Sequence, residues 1–179
     1  MSSVQKATIT ALCMALCAVL PLAFHALGLG GAFSPLHIPA LLCGLVCGPW
    51  YGLFCGAAGT LISSLTTSMP ASAQLAYMIP ELAVYGLAAG LFYRWIRTGS
   101  QTADLLLALI PAMLLGRIVG GLARLVYLKG DYSLALWAGS YLVSSLPGIL
   151  THLILIPSLI LILTRAGAVP ARNSKGETP

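Results

Sequence analysis

Long apolar stretches with very few charged side chains dominate this chain. Of its 179 residues, 59% are hydrophobic and 7% are charged, whereas soluble globular domains have about 25% charged residues. Such a chain cannot present an ordinary water-facing surface, so we interpret it as an integral membrane protein. A bilayer admits only helices and closed barrels, because lipid cannot satisfy backbone polar groups. The apolar runs are continuous rather than alternating, which predicts helices.

The lengths of the apolar runs predict the number of helices. A helix needs about 20 mainly apolar residues to cross a bilayer. We predict helices at residues 5–29, 36–48, 50–68, 74–93, 103–128 and 134–164. The second is short for a full crossing, and the last two are long enough to tilt. The predicted fold is an all-α integral membrane protein with a six-transmembrane-helix bundle at residues 1–166 and a polar cytoplasmic tail at 167–179.

The distribution of basic residues predicts the orientation in the membrane. Cytoplasmic segments of membrane proteins are enriched in Lys and Arg. With both termini in the cytoplasm, the only basic residue in the outer loops is Lys129. The cytoplasmic ends then contain Lys6, Arg94, Arg97, Arg165, Arg172 and Lys175. The net charge of +5 is therefore interpreted as a topology signal, and no nucleic-acid partner is predicted.

Residues 34–68 have the pattern of a tightly packed helical hairpin. Gly48 and Pro49 form a turn signal between two apolar segments, and His37 lies at the outer start of the first segment. Small residues in the second segment favour close helix packing. These are Gly52, Gly56, Ala57 and Gly59.

The first predicted helix has a stripe of small residues, Ala7, Ala11 and Ala15, at four-residue spacing. Small residues at this spacing let another helix approach closely, and the partner is either a helix of this chain or another subunit. The Gly-rich segment 27–35 after this helix is either a lid or a plain connector. A second outer loop is predicted at about residues 66–73.

Ionisable residues inside the later helices indicate a polar site. Glu81 lies within the fourth helix, where a carboxylate is costly unless it faces a partner or a water-filled cavity. Tyr77 and Tyr85 share its helix face. Arg117 and Arg124 lie two turns apart, about 10 Å, on one face of the fifth helix.

We expect these residues to form a pocket that opens to the outside and binds substrate. Two guanidinium groups suit an anionic ligand, and aromatic residues suit a ring or an apolar body. The alternative is that Glu81 pairs with Arg117 only to join two helices. The predicted substrate-binding residues are His37, Tyr77, Glu81, Arg117, Arg124, Trp137 and Tyr141.

The remaining histidines and the cysteines are interpreted as packing residues. His25 and His152 fall in this class, and no CxxC spacing occurs. The cysteines lie within predicted helices, where they act as small apolar side chains. They are Cys13, Cys17, Cys43, Cys47 and Cys55.

The sequence favours neither an enzyme nor a cofactor or metal site. It contains no HExxH, GxSxG or P-loop motif. His37, Glu81 and His152 come from three helices and differ in expected depth, so we do not predict that they bind a metal. Without a P-loop, any transport by this chain requires energy from a partner or an ion gradient.

Four segments together resemble the substrate-binding S components of energy-coupling factor (ECF) vitamin transporters. They are PLHIPALLCGLVCGPWYGLFCG, PELAVYGLAAGLFYR, GRIVGG and SLPGILTHLILIP, and their order and the six-helix length agree with that family. The resemblance implies a bacterial plasma-membrane protein that binds its substrate near the outer face, under the loops after the first and third helices. It also implies a transmembrane coupling subunit and two cytoplasmic ATPases as partners.

The same resemblance implies that the alanine stripe docks on the coupling subunit. It leaves the substrate open among pantothenate, another vitamin, a flavin and a modified base. Two other functions also remain open. One is a non-transporting envelope scaffold, similar in size and helix count to the rod-shape protein MreD, and the other is a stand-alone ion-coupled carrier.

Overall fold

A computed structural model describes residues 1–28, 35–128, 139 and 146–170, and these parts of the chain form six α-helices. The helices are α1 (Ser3–Ala26), α2 (His37–Cys47), α3 (Pro49–Thr67), α4 (Ser72–Trp95), α5 (Gln101–Leu128) and α6 (Leu146–Arg165). Every predicted helix end within the described ranges lies within about three residues of the observed one. The predicted start of the last helix and most of the polar tail lie outside the described residues.

Four helices are long and apolar enough to cross a membrane, namely α1, α4, α5 and α6. Helix α2 has 11 residues and is therefore about 16 Å long, roughly half the hydrocarbon thickness. Helix α3 contains several small and hydroxyl residues and is not among the four candidates. A multi-pass helical membrane protein follows from these helices, while six full crossings remain a prediction.

Helix α4 occupies the centre of the described bundle and packs against α2, α3 and α5. Helix α1 packs against the α2–α3 hairpin, and α6 packs against α2 and α5. The connection between α3 and α4 is shorter than the predicted loop at 66–73, because α3 continues to Thr67 and α4 begins at Ser72. The hydroxyls of Ser63 and Ser64 donate hydrogen bonds to the carbonyls of Met69 and Pro70, which close this turn.

The predicted turn between α2 and α3 is confirmed at Gly48. This residue has φ +102°, a conformation that glycine adopts without a steric penalty. Its N–H donates to the Gly44 carbonyl at 3.1 Å. Pro49 is the first residue of α3, where its missing N–H costs nothing and its fixed φ suits a helix.

Glycines allow the hairpin to pack directly on the backbone of α4. A Cβ atom on Gly86 would collide with the backbone of Gly52, and one on Gly44 or Gly52 would collide with the backbone of Gly86. A Cβ atom on Gly56 would meet the backbone of α4 at Leu82. This close approach brings the start of α2, and therefore His37, against α4.

The cysteines join α1 to the hairpin. All five are free and buried, and they pack in one core with their neighbours on α1, α2 and α3. The Thr10 hydroxyl lies 3.5 Å from the Cys43 thiol, and the Cys47 thiol donates to the Lys6 carbonyl. They occupy the packing positions that the sequence predicts.

At the opposite end from His37, Asp104 fixes the connection between α4 and α5. Its carboxylate accepts hydrogen bonds from the Thr98 N–H at 2.7 Å and the Thr98 hydroxyl at 2.8 Å. The side-chain amide of Gln101 donates to the Thr164 hydroxyl at 3.3 Å. The start of α5 is thereby tied to the end of α6.

Candidate functional site

Two glycines of α5 leave space for two polar side chains of α4. The Glu81 carboxylate lies against Gly120, and the Tyr85 ring lies against Gly116. The helices are antiparallel, so residues further along α4 meet residues earlier in α5. The GRIVGG segment thus has a glycine at each place where Glu81 or Tyr85 of α4 packs against α5.

The same antiparallel register stacks Arg124 on Tyr77. The guanidinium carbon of Arg124 lies 4.3 Å from the centroid of the Tyr77 ring, which is well within the range of a cation–π interaction. Tyr77 is 8% exposed, and Arg124 is half-buried. Arg117 lies two turns deeper on α5 and is 6% exposed. Both arginines therefore lie on the side of α5 that faces α4.

His37 brings the first residue of α2 into contact with the same side chains. Its Nε2 atom lies 3.6 Å from Oε1 of Glu81. Its ring also packs edge-on against Tyr85, with the centroids 4.8 Å apart. His37 is therefore held by α4 through one charged and one aromatic neighbour.

His152 on α6 completes this group of side chains. It is 1% exposed, and its ring centroid lies 5.8 Å from that of His37. From the sequence, a packing role is predicted for His152, and the predicted site does not include it. One feature of the sequence does indicate a role for His152. It is the one ionisable residue between positions 146 and 164, in an apolar stretch where such a residue is costly.

These residues form one buried polar cluster at the His37 end of the bundle. The polar cluster consists of His37, Tyr77, Glu81, Tyr85, Arg117, Arg124 and His152. It unites all the predicted site residues that the structure describes and adds Tyr85 and His152. The other two predicted residues, Trp137 and Tyr141, lie outside the described residues.

The polar cluster combines anion-binding groups with hydrogen-bonding groups. The guanidinium groups offer fixed N–H donors, the carboxylate offers acceptors, and the imidazole and phenol groups offer both. Within the described ranges, no set of three or more His, Cys, Asp or Glu side chains is arranged to hold a metal ion. Together these groups offer N–H and O–H donors and carboxylate and imidazole acceptors within one small region.

The alanine stripe lies on the opposite side of α1 from the core. Ala7, Ala11 and Ala15 are exposed, whereas Cys13 and Cys17 on the other side are buried. The described helices of this chain thus leave the stripe uncovered. A second helix has access to it from outside the bundle.

A comparison with protein families identifies the chain. The model of a family described as "ECF transporter, substrate-specific component" matches residues 5–164. The chain belongs to this family. No curated protein and no solved structure matched in the corresponding searches.

Membership of the S-component family defines the general role of the chain. An S component is the substrate-specific subunit of an ECF transporter, so this chain belongs to a family of binding subunits of membrane transporters. The matched region includes every residue of the polar cluster and the alanine stripe.

Proposed function

We propose that this S component captures a small water-soluble vitamin or related micronutrient at the outer face of the bacterial plasma membrane. It then delivers the substrate inward together with a transmembrane coupling subunit and two cytoplasmic ATPases. The observation that carries the proposal is the polar cluster, in which four helices bring buried polar side chains together at one end of an apolar bundle. Intramembrane ionisable groups of this kind mark substrate pathways.

The charges at the two ends of the bundle support an outward-facing site. Arg94 and Arg165 lie in the last turns of α4 and α6, and Arg97 follows α4, all at the end remote from His37. Basic residues favour the cytoplasmic side. The polar cluster then lies toward the outer face, with both termini in the cytoplasm.

The charge of the polar cluster supports an anionic substrate. Arg117 and Arg124 each carry a guanidinium group, and Glu81 carries a carboxylate. Arginine presents a planar fork of N–H donors that matches carboxylate and phosphate groups. Tyr77, which packs against Arg124, provides an aromatic surface for an apolar part of the same molecule.

The alanine stripe supports docking of α1 on the coupling subunit. Small exposed residues at four-residue spacing allow two helix backbones to approach closely in a membrane. Ala7, Ala11 and Ala15 are exposed on α1. The exposed positions of α5 and α6 include large side chains such as Val126 and Ile154.

Gentle purification and mass spectrometry test the proposal directly. We expect the full-length protein, purified in lipid nanodiscs, to release a small polar molecule on denaturation. Cells that make this chain with the coupling subunit and ATPases should accumulate that molecule, and deletion of the ATPases should abolish uptake. Uptake that persists without the ATPases would instead indicate an ion-coupled carrier. The absence of both a bound molecule and uptake would indicate a scaffold.

A further inference from the structure

Tyr85 has a buried hydroxyl group at the centre of the polar cluster. The residue is 1% exposed, and its ring is held between Gly116 on α5 and the edge of His37 on α2. In the described part of the chain, its hydroxyl oxygen is buried and has no hydrogen-bond partner. The side chains of Glu81 and Arg117 lie near this hydroxyl, but neither meets the geometry of a hydrogen bond with it.

A hydroxyl in this situation is costly for the empty protein. Nearly all buried polar groups in proteins are hydrogen-bonded, and an exception calls for an explanation such as a functional role. Phenylalanine would fill the same space without the polar atom. The placement of a hydroxyl beside Arg117 therefore indicates that its partner is supplied by the bound substrate.

The net charge around Tyr85 restricts the class of substrate. With the imidazoles counted as neutral, the formally charged groups of the polar cluster are two guanidinium groups and one carboxylate, so their charges sum to +1. A monoanion neutralises this sum, whereas a phosphate dianion leaves a net negative charge in a buried site beside Glu81. An uncompensated buried charge is strongly unfavourable. The charge balance thus favours a single negative charge on the substrate.

We propose that the substrate is a monocarboxylate and that Tyr85 is a further binding residue, whose O–H donates to the substrate carboxylate next to Arg117. This inference rests on the proposed function, because it names the chemical class that the S component carries. A carboxylate accepts bonds from a guanidinium and a phenol at the same time. Charge-assisted hydrogen bonds of this kind are the stronger ones in proteins.

The variant Tyr85→Phe tests the role of the hydroxyl, because substrate affinity and thermal stability should change in opposite directions. Binding of the monocarboxylate should weaken at least about tenfold, because a hydrogen bond to a charged group is lost. The thermal midpoint of the ligand-free protein should rise, because an unsatisfied buried hydroxyl is removed. A tyrosine that only packs would not move the two measurements in opposite directions. Tyr93→Phe on the same helix, about 12 Å further along, is the matched control and should leave binding unchanged.

A panel of probes tests the substrate class without any variant. The full-length protein in nanodiscs is titrated with nicotinate, biotin and pantothenate as monocarboxylates. Riboflavin and pyridoxine serve as uncharged probes, thiamine as a cation and pyridoxal 5′-phosphate as a phosphate. Mass spectrometry of the co-purified molecule identifies the substrate if it is not among these probes. We expect a monocarboxylate to bind most tightly, or to be the molecule that is released.

The outcomes separate this inference from the proposed function. Preferred binding of an uncharged, cationic or phosphorylated molecule would overturn the monocarboxylate class while leaving an S component that binds substrate. Unchanged affinity in Tyr85→Phe would overturn the role of the hydroxyl in the same way. If no probe binds and no small molecule is released, the proposed function itself fails, together with the inference that rests on it.

Discussion

The carboxylate of Glu81 on α4 lies directly against Gly120 on α5, at the place where any side chain on residue 120 would overlap it. The absence of a side chain at Gly120 allows Glu81 to lie between the two helices and to reach His37 at 3.6 Å. A single glycine thereby determines where the one carboxylate of the polar cluster is held.

The variant Gly120→Ala should displace Glu81 without unfolding the protein. The added methyl group meets the flexible end of a side chain rather than backbone, so the carboxylate moves and the helices remain packed. We expect substrate binding to weaken about tenfold, since small misplacements of a binding group are costly. Isothermal titration with the co-purified molecule measures the change.

Leu122→Ala is the control for Gly120→Ala, because Leu122 lies on the same helix but is 57% exposed and faces away from the polar cluster. The substrate affinity of Leu122→Ala should equal that of the wild type. Equal affinity in Gly120→Ala as well would show that the position of Glu81 does not matter for binding.

The variant Arg117→Gln should lose substrate affinity because it removes a buried guanidinium group. Arg117 is 6% exposed, and a truncated buried charge contact typically costs 2–5 kcal/mol of binding, or roughly 30- to 5,000-fold. Arg97→Gln, at the opposite end of the bundle, should bind as the wild type does. If both variants bind equally well in the same titration, the polar cluster is not the substrate site.

The variant Ala11→Leu should separate complex formation from substrate binding. Ala11 is exposed in the middle of the alanine stripe, so a leucine there holds a partner helix away while leaving the core of α1 untouched. We expect co-purification with the coupling subunit and uptake to be lost, with substrate affinity retained.

Ala23→Leu provides the control on the same helix. Ala23 is also exposed but lies about 18 Å from Ala11 along the helix axis and off the alanine stripe. It should form the complex normally. A stable complex in Ala11→Leu would exclude the alanine stripe as the docking surface.

The variant Gly86→Ala should strongly destabilise the bundle. Its methyl group would overlap the backbone of Gly52, and overpacking a well-packed interior typically costs 1–3 kcal/mol, with larger losses when the backbone must move. In Gly59→Ala the methyl group instead meets the Cys17 side chain, which can adjust. A thermal unfolding series in detergent should therefore show a much larger loss for Gly86→Ala. Equal midpoints would contradict the direct backbone packing of α3 on α4.

The sequence by itself determined the class of protein and the helix positions. The apolarity and the length of each run are local properties of the sequence. In a bilayer such a run forms a helix, because only internal hydrogen bonds satisfy its backbone polar groups. The same locality explains why the Gly48-Pro49 turn was predictable, and the start of α2 to within one residue. It also explains why Glu81 and Arg117 were recognised, since each is a costly residue in an apolar run.

Only the tertiary structure decided which of these residues meet. The contact between His37 and His152 depends on how α2 packs against α6, and no spacing within either segment specifies it. Tyr85 shares a helix face with Glu81, but its importance follows from a buried hydroxyl that only three-dimensional packing reveals. Gly86 and Gly120 lack a side chain, and the groups that fill the space beside them come from other helices. Pairing between distant segments is set by the packing of whole helices. The sequence therefore predicted five members of the polar cluster, whereas the places of Tyr85 and His152 in it, and its arrangement, required the tertiary structure.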